Sequence, residues 1–451
     1  MSTASAIEWT RRSTRRELSQ RAAYAVATGV IGLGLFASVT PSPLYHLYAA
    51  RWGFGPETLT LIYATYAFGV LATLLLAGRI SDDVGRRPVL LVALASLALS
   101  SVIFMLAESP AWLFVGRGLQ GLATGAAIST ASAAMLDLHA RRDPAAVGLA
   151  NGIASAVGLA LGVLLSSVLV QLGHAPATLP YVLLLSLFAL ALVGAFFMPE
   201  PVAEPRGLHL KVERPSIPAG VRKPFLLASL AVLASWSIGG LFFSLGPELG
   251  AQLFATTNVV VAGSGIVVLA GSAALSQLLF GRTAPWIGAS AGSVALAAGT
   301  LMIVTSAAAG SSALYLAGTV IAGMGFGVAF LGGLRSLVAA IPAEHRAAVM
   351  SAFYVVAYAS LSVPAVLAGF LVTRLGLDTT FESFGSVVAA IALVVAFEAW
   401  RTRPAQSRRA VHQPAKTASA MPTPATSPNS TDCSSQKRLA GTYTAVMKSC
   451  A

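Results

Sequence analysis

Charge is what this sequence has least of: only 10% of its 451 residues are Asp, Glu, Lys or Arg, against roughly 25% in an ordinary soluble domain. With 56% hydrophobic residues and a mean hydropathy of +0.77, the chain has too little polar surface to cover several soluble domains. Cysteine is nearly absent, and Cys433 and Cys450 both fall in a polar C-terminal stretch. No disulfide framework holds the apolar part together, and the two read as exposed thiols. Cys450 is the penultimate residue, so the four-residue prenylation box is excluded. Six histidines form no ligand pair at helical spacing, no cysteine lies in an apolar run, and no Walker phosphate loop occurs. These absences argue against a membrane-embedded lipid enzyme and against direct ATP hydrolysis, and no cofactor or metal is expected.

What the sequence has instead is long apolar runs. Twelve are long enough to span a bilayer, at approximately 22–48, 57–77, 88–107, 111–137, 146–171, 179–198, 224–247, 257–279, 286–308, 312–340, 347–373 and 380–400. The first follows a basic stretch, Arg11 to Arg21, but is too long for a signal-peptide core and reads as an uncleaved span. With the N-terminus placed in the cytoplasm, twelve Lys or Arg fall in inner loops and two, Arg51 and Arg374, in outer ones. That asymmetry places both termini inside and supports an even number of spans.

The expected organisation is therefore all-α and polytopic: a basic cytoplasmic tail (1–21), a six-helix bundle (22–198), a cytoplasmic linker (199–223), a second six-helix bundle (224–400) and a disordered cytoplasmic tail (401–451). The net charge of +12 sits mostly in the tails: five Arg against two Glu give +3 before residue 22, and eight basic groups against Asp432 give +7 after residue 400. This is topology, with some attraction to anionic inner-leaflet lipids, and no nucleic-acid partner is expected. Arg outnumbers Lys 24 to 5 and Ala is abundant, which suggests a GC-rich bacterial genome and hence the inner membrane.

The two halves repeat. A shift of 202 superposes Gly121, Gly125 and Ala127 on Gly323, Gly327 and Ala329, and Ala145, Ala146 and Val147 on Ala347, Ala348 and Val349, while Gly78 and Arg79 match Gly281 and Arg282 at 203. Repeats in the same orientation imply a pseudo-twofold axis along the membrane normal.

The loop after the second span reads Gly78-Arg79-Ile80-Ser81-Asp82-Asp83-Val84-Gly85-Arg86-Arg87-Pro88. It resembles the signature loop of the major facilitator superfamily, with Asp83 where that family usually has a basic residue. The resemblance implies the twelve-helix fold of two pseudo-symmetric bundles, and for Gly78, Asp82, Gly85, Arg86 and Arg87 a role in latching the halves and gating the inward opening. Arg117-Gly118-Leu119-Gln120-Gly121, continuing to Gly125, resembles the family's fourth-helix motif, whose arginine is implicated in proton coupling. Arg117 lies about 9 Å below the outer end of its helix, at 1.5 Å per residue. It either faces a polar interior or snorkels outward beside Trp112. Gly121 with Gly125, and Gly158 with Gly162 on the fifth span, form small-residue packing strips. The fifth-span strip resembles the family's exporter motif, although Val163 stands where a proline is usual and Ser167 where a glycine is.

Prolines 41 and 43 should bend the first span and free backbone carbonyls. Asp137 is expected to pair with Arg141 four residues on. Glu248, after Pro247 at the outer end of the seventh span, is either a boundary residue or a second proton-coupling candidate. In this family the first, fourth, seventh and tenth helices line the central cavity. That makes Thr40, Ser42, Tyr45, Gln120, Trp236 and Phe242 candidate lining residues, with Asn151, Tyr354 and Tyr358 on neighbouring gating helices, while Arg335, near the inner end of the tenth span, either snorkels or contacts the cavity. Such a cavity is mostly apolar. The expected function is alternating-access transport of a small organic solute by a monomer, with proton-coupled efflux of hydrophobic or weakly cationic compounds ahead of proton-coupled import of a metabolite. A non-transporting receptor is a third possibility.

Overall fold

The computed structural model describes residues 17–76, 80–173, 175–202, 216–342 and 345–403, the side chain of Ala347 excepted. Gly78, Arg79, most of the linker, residues 1–16 of the N-terminal tail and residues 404–451 of the C-terminal tail lie outside the described residues. Every long regular element within them is an α-helix. The first half holds α1 (Gln20–Val39), α2 (Tyr45–Trp52), α3 (Pro56–Leu76), α4 (Ile80–Val84), α5 (Arg86–Met105), α6 (Pro110–Leu138), α7 (Pro144–Leu172) and α8 (Leu179–Phe196). The second holds α9 (Arg222–Leu253), α10 (Val259–Ala262), α11 (Ser264–Phe280), α12 (Pro285–Ala309), α13 (Ser312–Ala340), α14 (Arg346–Leu375) and α15 (Leu377–Arg401).

These make twelve spans, six on each side of the linker, with α1–α2 and α10–α11 each forming one and the five-residue α4 lying in a loop. Among the described residues, ten helical segments are long and apolar enough to cross a membrane by length and composition. The other two spans are α11, of 17 residues, and α6, of 29, whose interior carries Arg117, Gln120 and several Gly, Ser and Thr. Large apolar side chains on the outside of the bundle, Val92, Leu172 and Leu190 among the most exposed, suit a lipid solvent and would be a liability in water. Helix starts follow local rules. Pro sits in the first turn of α6, α7, α8 and α12, where its missing N–H costs nothing.

Three spans depart from the sequence reading. The first is not continuous: α1 stops at Val39, a 3-10 turn covers Ser42–Leu44, and α2 carries on to Trp52, because Pro41 and Pro43 cannot donate to the helical ladder. The seventh does not end at Pro247; α9 runs through it to Leu253. The eighth breaks at Gly263 between α10 and α11.

The pairing of helices repeats between halves. In the first, α3 packs on α6, α5 on α6, α1 on α7 and on α6, and α5 on α8; in the second, α11 packs on α13, α12 on α13, α9 on α14 and on α13, and α12 on α15. The halves meet through α3 with α14 and through α7 with α11, which exchange under the same operation. Glycine sets the closest approaches. A Cβ on Gly121 would strike the carbonyl of Tyr66, and one on Gly323 the carbonyl of Leu269. Gly125 abuts the Val70 carbonyl and Gly327 that of Ala273. Both contacted positions are 203 apart, so the repeat read from the sequence is the same helix contact made twice.

Candidate functional site

Arg117 has no exposed surface, and the break in the first span explains why a charge is kept there. Pro41 removes the N–H that would bond the Ala37 carbonyl, and the end of α1 leaves further carbonyls unpaired. Polar side chains from neighbouring spans take them. Gln120 Nε2 donates to Ala37 O at 3.0 Å, Arg117 Nη1 to Ser38 O at 2.6 Å, and Ser166 Oγ to Thr40 O at 2.7 Å. Arg117 Nη1 also donates to Gln120 Oε1 at 2.7 Å, and its Nε to Tyr45 Oη at 2.6 Å. The guanidinium therefore ties the last turn of α1 to the first residue of α2, across the break.

Magnitudes favour this position over snorkelling. Inserting an arginine at mid-helix costs ~2.5–3.5 kcal/mol on insertion scales, whereas each hydrogen bond to a charged group contributes about 1.5–3 kcal/mol, and Arg117 makes three. The negative end of the α1 dipole adds to the attraction. Three tyrosine rings complete the surroundings, with Tyr45, Tyr63 and Tyr66 centred 5.5, 5.8 and 5.6 Å from the guanidinium carbon, within cation–π range. Nη2 has no hydrogen-bond partner among the described residues. Tyr63 and Tyr66, three apart on α3 and so on one helix face, were not singled out from the sequence, although that spacing was the signal.

The signature loop is built around Arg86. Its side chain pairs with Asp82, reaches Asp137 Oδ2 through Nε at 3.1 Å and donates to Ser81 Oγ at 2.7 Å. Asp137 thus pairs with Arg86 and not with Arg141, since the fold brings the ends of α5 and α6 together. Gly85, at φ +113°, takes a conformation that other residues rarely adopt. Its turn aims the backbone N–H groups of Arg86 and Arg87 at the Glu200 carboxylate, 2.8 and 2.9 Å away. Glu200 caps α5 from the end of the sixth span, a role the sequence did not reveal. Arg87 lies over the Phe196 ring at 5.2 Å. The described partners of Asp82, Arg86 and Arg87 all belong to the first half, while Gly78 lies outside the described residues.

Other candidates are distributed differently from the sequence reading. Arg335 Nη1 donates to the carbonyls of Gly281 and Thr283 at 2.7 and 3.1 Å, pinning the loop between α11 and α12. Phe242 is wholly buried within the second half, stacked on Tyr315 and edge-on to Phe381. Thr40 is also buried, its hydroxyl turned back on the Phe36 carbonyl. Asn151 donates to Ser132 Oγ at 2.8 Å, joining α7 to α6. Trp236 packs against Phe330 and Tyr358 as a half-buried aromatic cluster, with Tyr354 one turn from Tyr358. Gly158 and Gly162 receive the carbonyls of Gly32 and Phe36 from α1.

The bundle has a near end, which carries Leu18 and Arg403, and a far end. Among the described residues, three hydrogen bonds cross between the halves at the far end. Ser42 Oγ donates to Phe243 O at 3.0 Å, Val259 N to Gln171 Oε1 at 2.9 Å, and Thr373 Oγ1 to Glu57 Oε2 at 3.3 Å. The first is a consequence of Pro247, which frees the carbonyl four residues before it. Beside it a cavity of about 540 Å³ opens between the halves, lined among others by Ser42, Tyr45, His46, Phe54, Ser244 and Glu248. Ser42, Tyr45 and Glu248 thus face this far-end cavity, with Tyr45 forming a wall between it and Arg117.

Residues 24–363 match the family described as Major Facilitator Superfamily. A triacylglyceride transporter of Mycolicibacterium hassiacum is 37% identical over 118 residues, 26% of this chain and 22% of that protein. Multidrug resistance protein MdtL of Escherichia coli O81 is 30% identical over 167 residues, 37% of this chain and 39% of that protein. The matched segments thus cover about a fifth to two fifths of those relatives. The crystal structure of the human organic anion transporter MFSD10 (TETRAN) has a similar fold, with a TM-score of 0.62 and 18% identity over 85% of this chain and all of that one.

Proposed function

The chain belongs to the major facilitator superfamily, and from that premise we propose that it is a secondary transporter of a small organic solute, working by alternating access as a proton-coupled exporter. The near end is cytoplasmic and the far end faces outward from a bacterial inner membrane, with both termini inside. The solutes are hydrophobic or weakly cationic compounds, and the protein works as a monomer. The observation that carries this reading is the broken first span, whose two pieces are joined by Arg117 inside the first of two repeated halves. A break held by side chains from α6 is a hinge that can be released and remade. The similarity to a multidrug resistance protein supports the direction, and the largely apolar lining supports the solute class. Arg117 and Glu248, on either side of Tyr45, are the proton-coupling residues in this reading.

Inside-out proteoliposomes test it. An acid lumen should drive accumulation of a lipophilic fluorescent dye, and Arg117→Ala protein should not accumulate it. If no member of a panel of hydrophobic, cationic and anionic solutes moves under a proton gradient of either sign, the reading is wrong.

A further inference from the structure

The far-end cavity has the properties of a binding site that is separate from the Arg117 cluster. Its volume of about 540 Å³ falls in the range of small-molecule sites, roughly 300–1,000 Å³. Most of its wall is apolar or aromatic, from Pro43, Phe54, Leu59, Pro247 and Val259, with the Tyr45 ring on its inner side. Among the described residues no Lys or Arg lines it, and its described titratable members are Tyr45, His46 and Glu248. A second carboxylate stands on the rim, where a Cβ on Gly55 would lie within 2.8 Å of both oxygens of Glu57. The nearby cation Arg51 is turned onto Trp52, 5.7 Å from its ring. Behind Tyr45, Arg117 repels positive charge from the inner side.

We propose that this cavity is an outer binding site for a lipophilic organic cation, with the Glu248 carboxylate as counter-ion and the aromatic and proline wall around the apolar body. The positive centre lies toward Glu248, away from Arg117, and Tyr45 and Phe54 supply ring faces to it. The proposal rests on the transport reading only for its place in a cycle, as the site occupied on the outward side. Binding is measurable without transport.

The test uses full-length protein, with Cys433→Ser and Cys450→Ser, in nanodiscs of neutral phosphatidylcholine at pH 8, where His46 is uncharged. The probes are tetraphenylphosphonium and tetraphenylborate, nearly identical in shape and opposite in charge. Tetraphenylphosphonium should bind saturably, about tenfold or more weakly after Glu248→Gln, as expected for loss of a close charge partner. Glu248→Asp should stay within about threefold of the parent, because the charge remains. A Thr257→Cys version should be protected from a membrane-impermeant maleimide by the cation and not by the borate. Melting curves establish that each variant is folded. Unchanged binding in folded Glu248→Gln protein, equal or tighter binding of the borate, or no saturable cation binding each overturns the proposal. Failure of transport with Glu248-dependent binding intact would count against the exporter reading alone.

Discussion

Replacing Tyr45 with Phe removes one oxygen atom from the bundle interior and leaves the ring in place. That oxygen accepts from Arg117 Nε at 2.6 Å, so the variant leaves a charged, buried N–H without a partner while keeping the cation–π contact. A hydrogen bond to a charged group is worth about 1.5–3 kcal/mol, and the loss should appear in full because water does not reach a guanidinium with no exposed surface. The assay is reversible unfolding in mixed micelles, run as a double-mutant cycle with Arg117→Met. Tyr45→Phe should cost ~1.5–3 kcal/mol in the parent and less than ~0.5 kcal/mol in the Arg117→Met background, where no donor is left to orphan. An equal cost in both backgrounds would refute the claim that Arg117 bridges the break through Tyr45.

Three further outcomes follow from the same geometry. Ser42→Ala should cost about 1–3 kcal/mol by orphaning the Phe243 carbonyl, and the cost should largely vanish beside Pro247→Ala, which restores the helical N–H to that carbonyl; unfolding midpoints check both. Glu200→Ala should destabilise the start of α5 by ~0.5–2 kcal/mol, as for loss of a helix cap, read as faster hydrogen exchange at Arg86 and Arg87. Gly158→Leu, driven against the Gly32 carbonyl, should cost about 1–3 kcal/mol or block folding. Gly148→Ala, with nothing within 4 Å of the new Cβ, should stabilise by roughly 0.5–1 kcal/mol; comparing their melting temperatures tests whether packing decides the difference.

The twelve spans were legible because a bilayer imposes a length and an apolar composition that few other constraints override. A bend at Pro41 and Pro43 was legible from backbone chemistry, though not the full break, and depth along its helix made an interior position one of two readings for Arg117. What the sequence could not show was which distant partner completes each group. Pro247 looked like a helix end because a proline usually is one; α9 continues because Ser42, 205 positions earlier in the chain, satisfies the carbonyl it frees. Asp137 had a local candidate in Arg141, but the fold offered Arg86. Arg335 and Phe242 lie on the expected helices but turn toward a loop and a core, because membership of a cavity-lining helix does not say which face a residue occupies. Glu200 sits in a proline-rich segment that read as linker, and only the return of the sixth span to the start of α5 gives it a role.

Alternating access itself is tested most directly by paired distance measurements at the two ends of the bundle. With Cys433 and Cys450 replaced by Ser, spin labels at Arg51→Cys and Thr257→Cys report the far end, and labels at Arg141→Cys and Arg346→Cys the near end. In nanodiscs, changing pH and adding tetraphenylphosphonium should shift populations reciprocally, with far-end distances lengthening as near-end distances shorten. Arg117→Ala should uncouple the two. A single distance at each end, unchanged under every condition, would contradict the account.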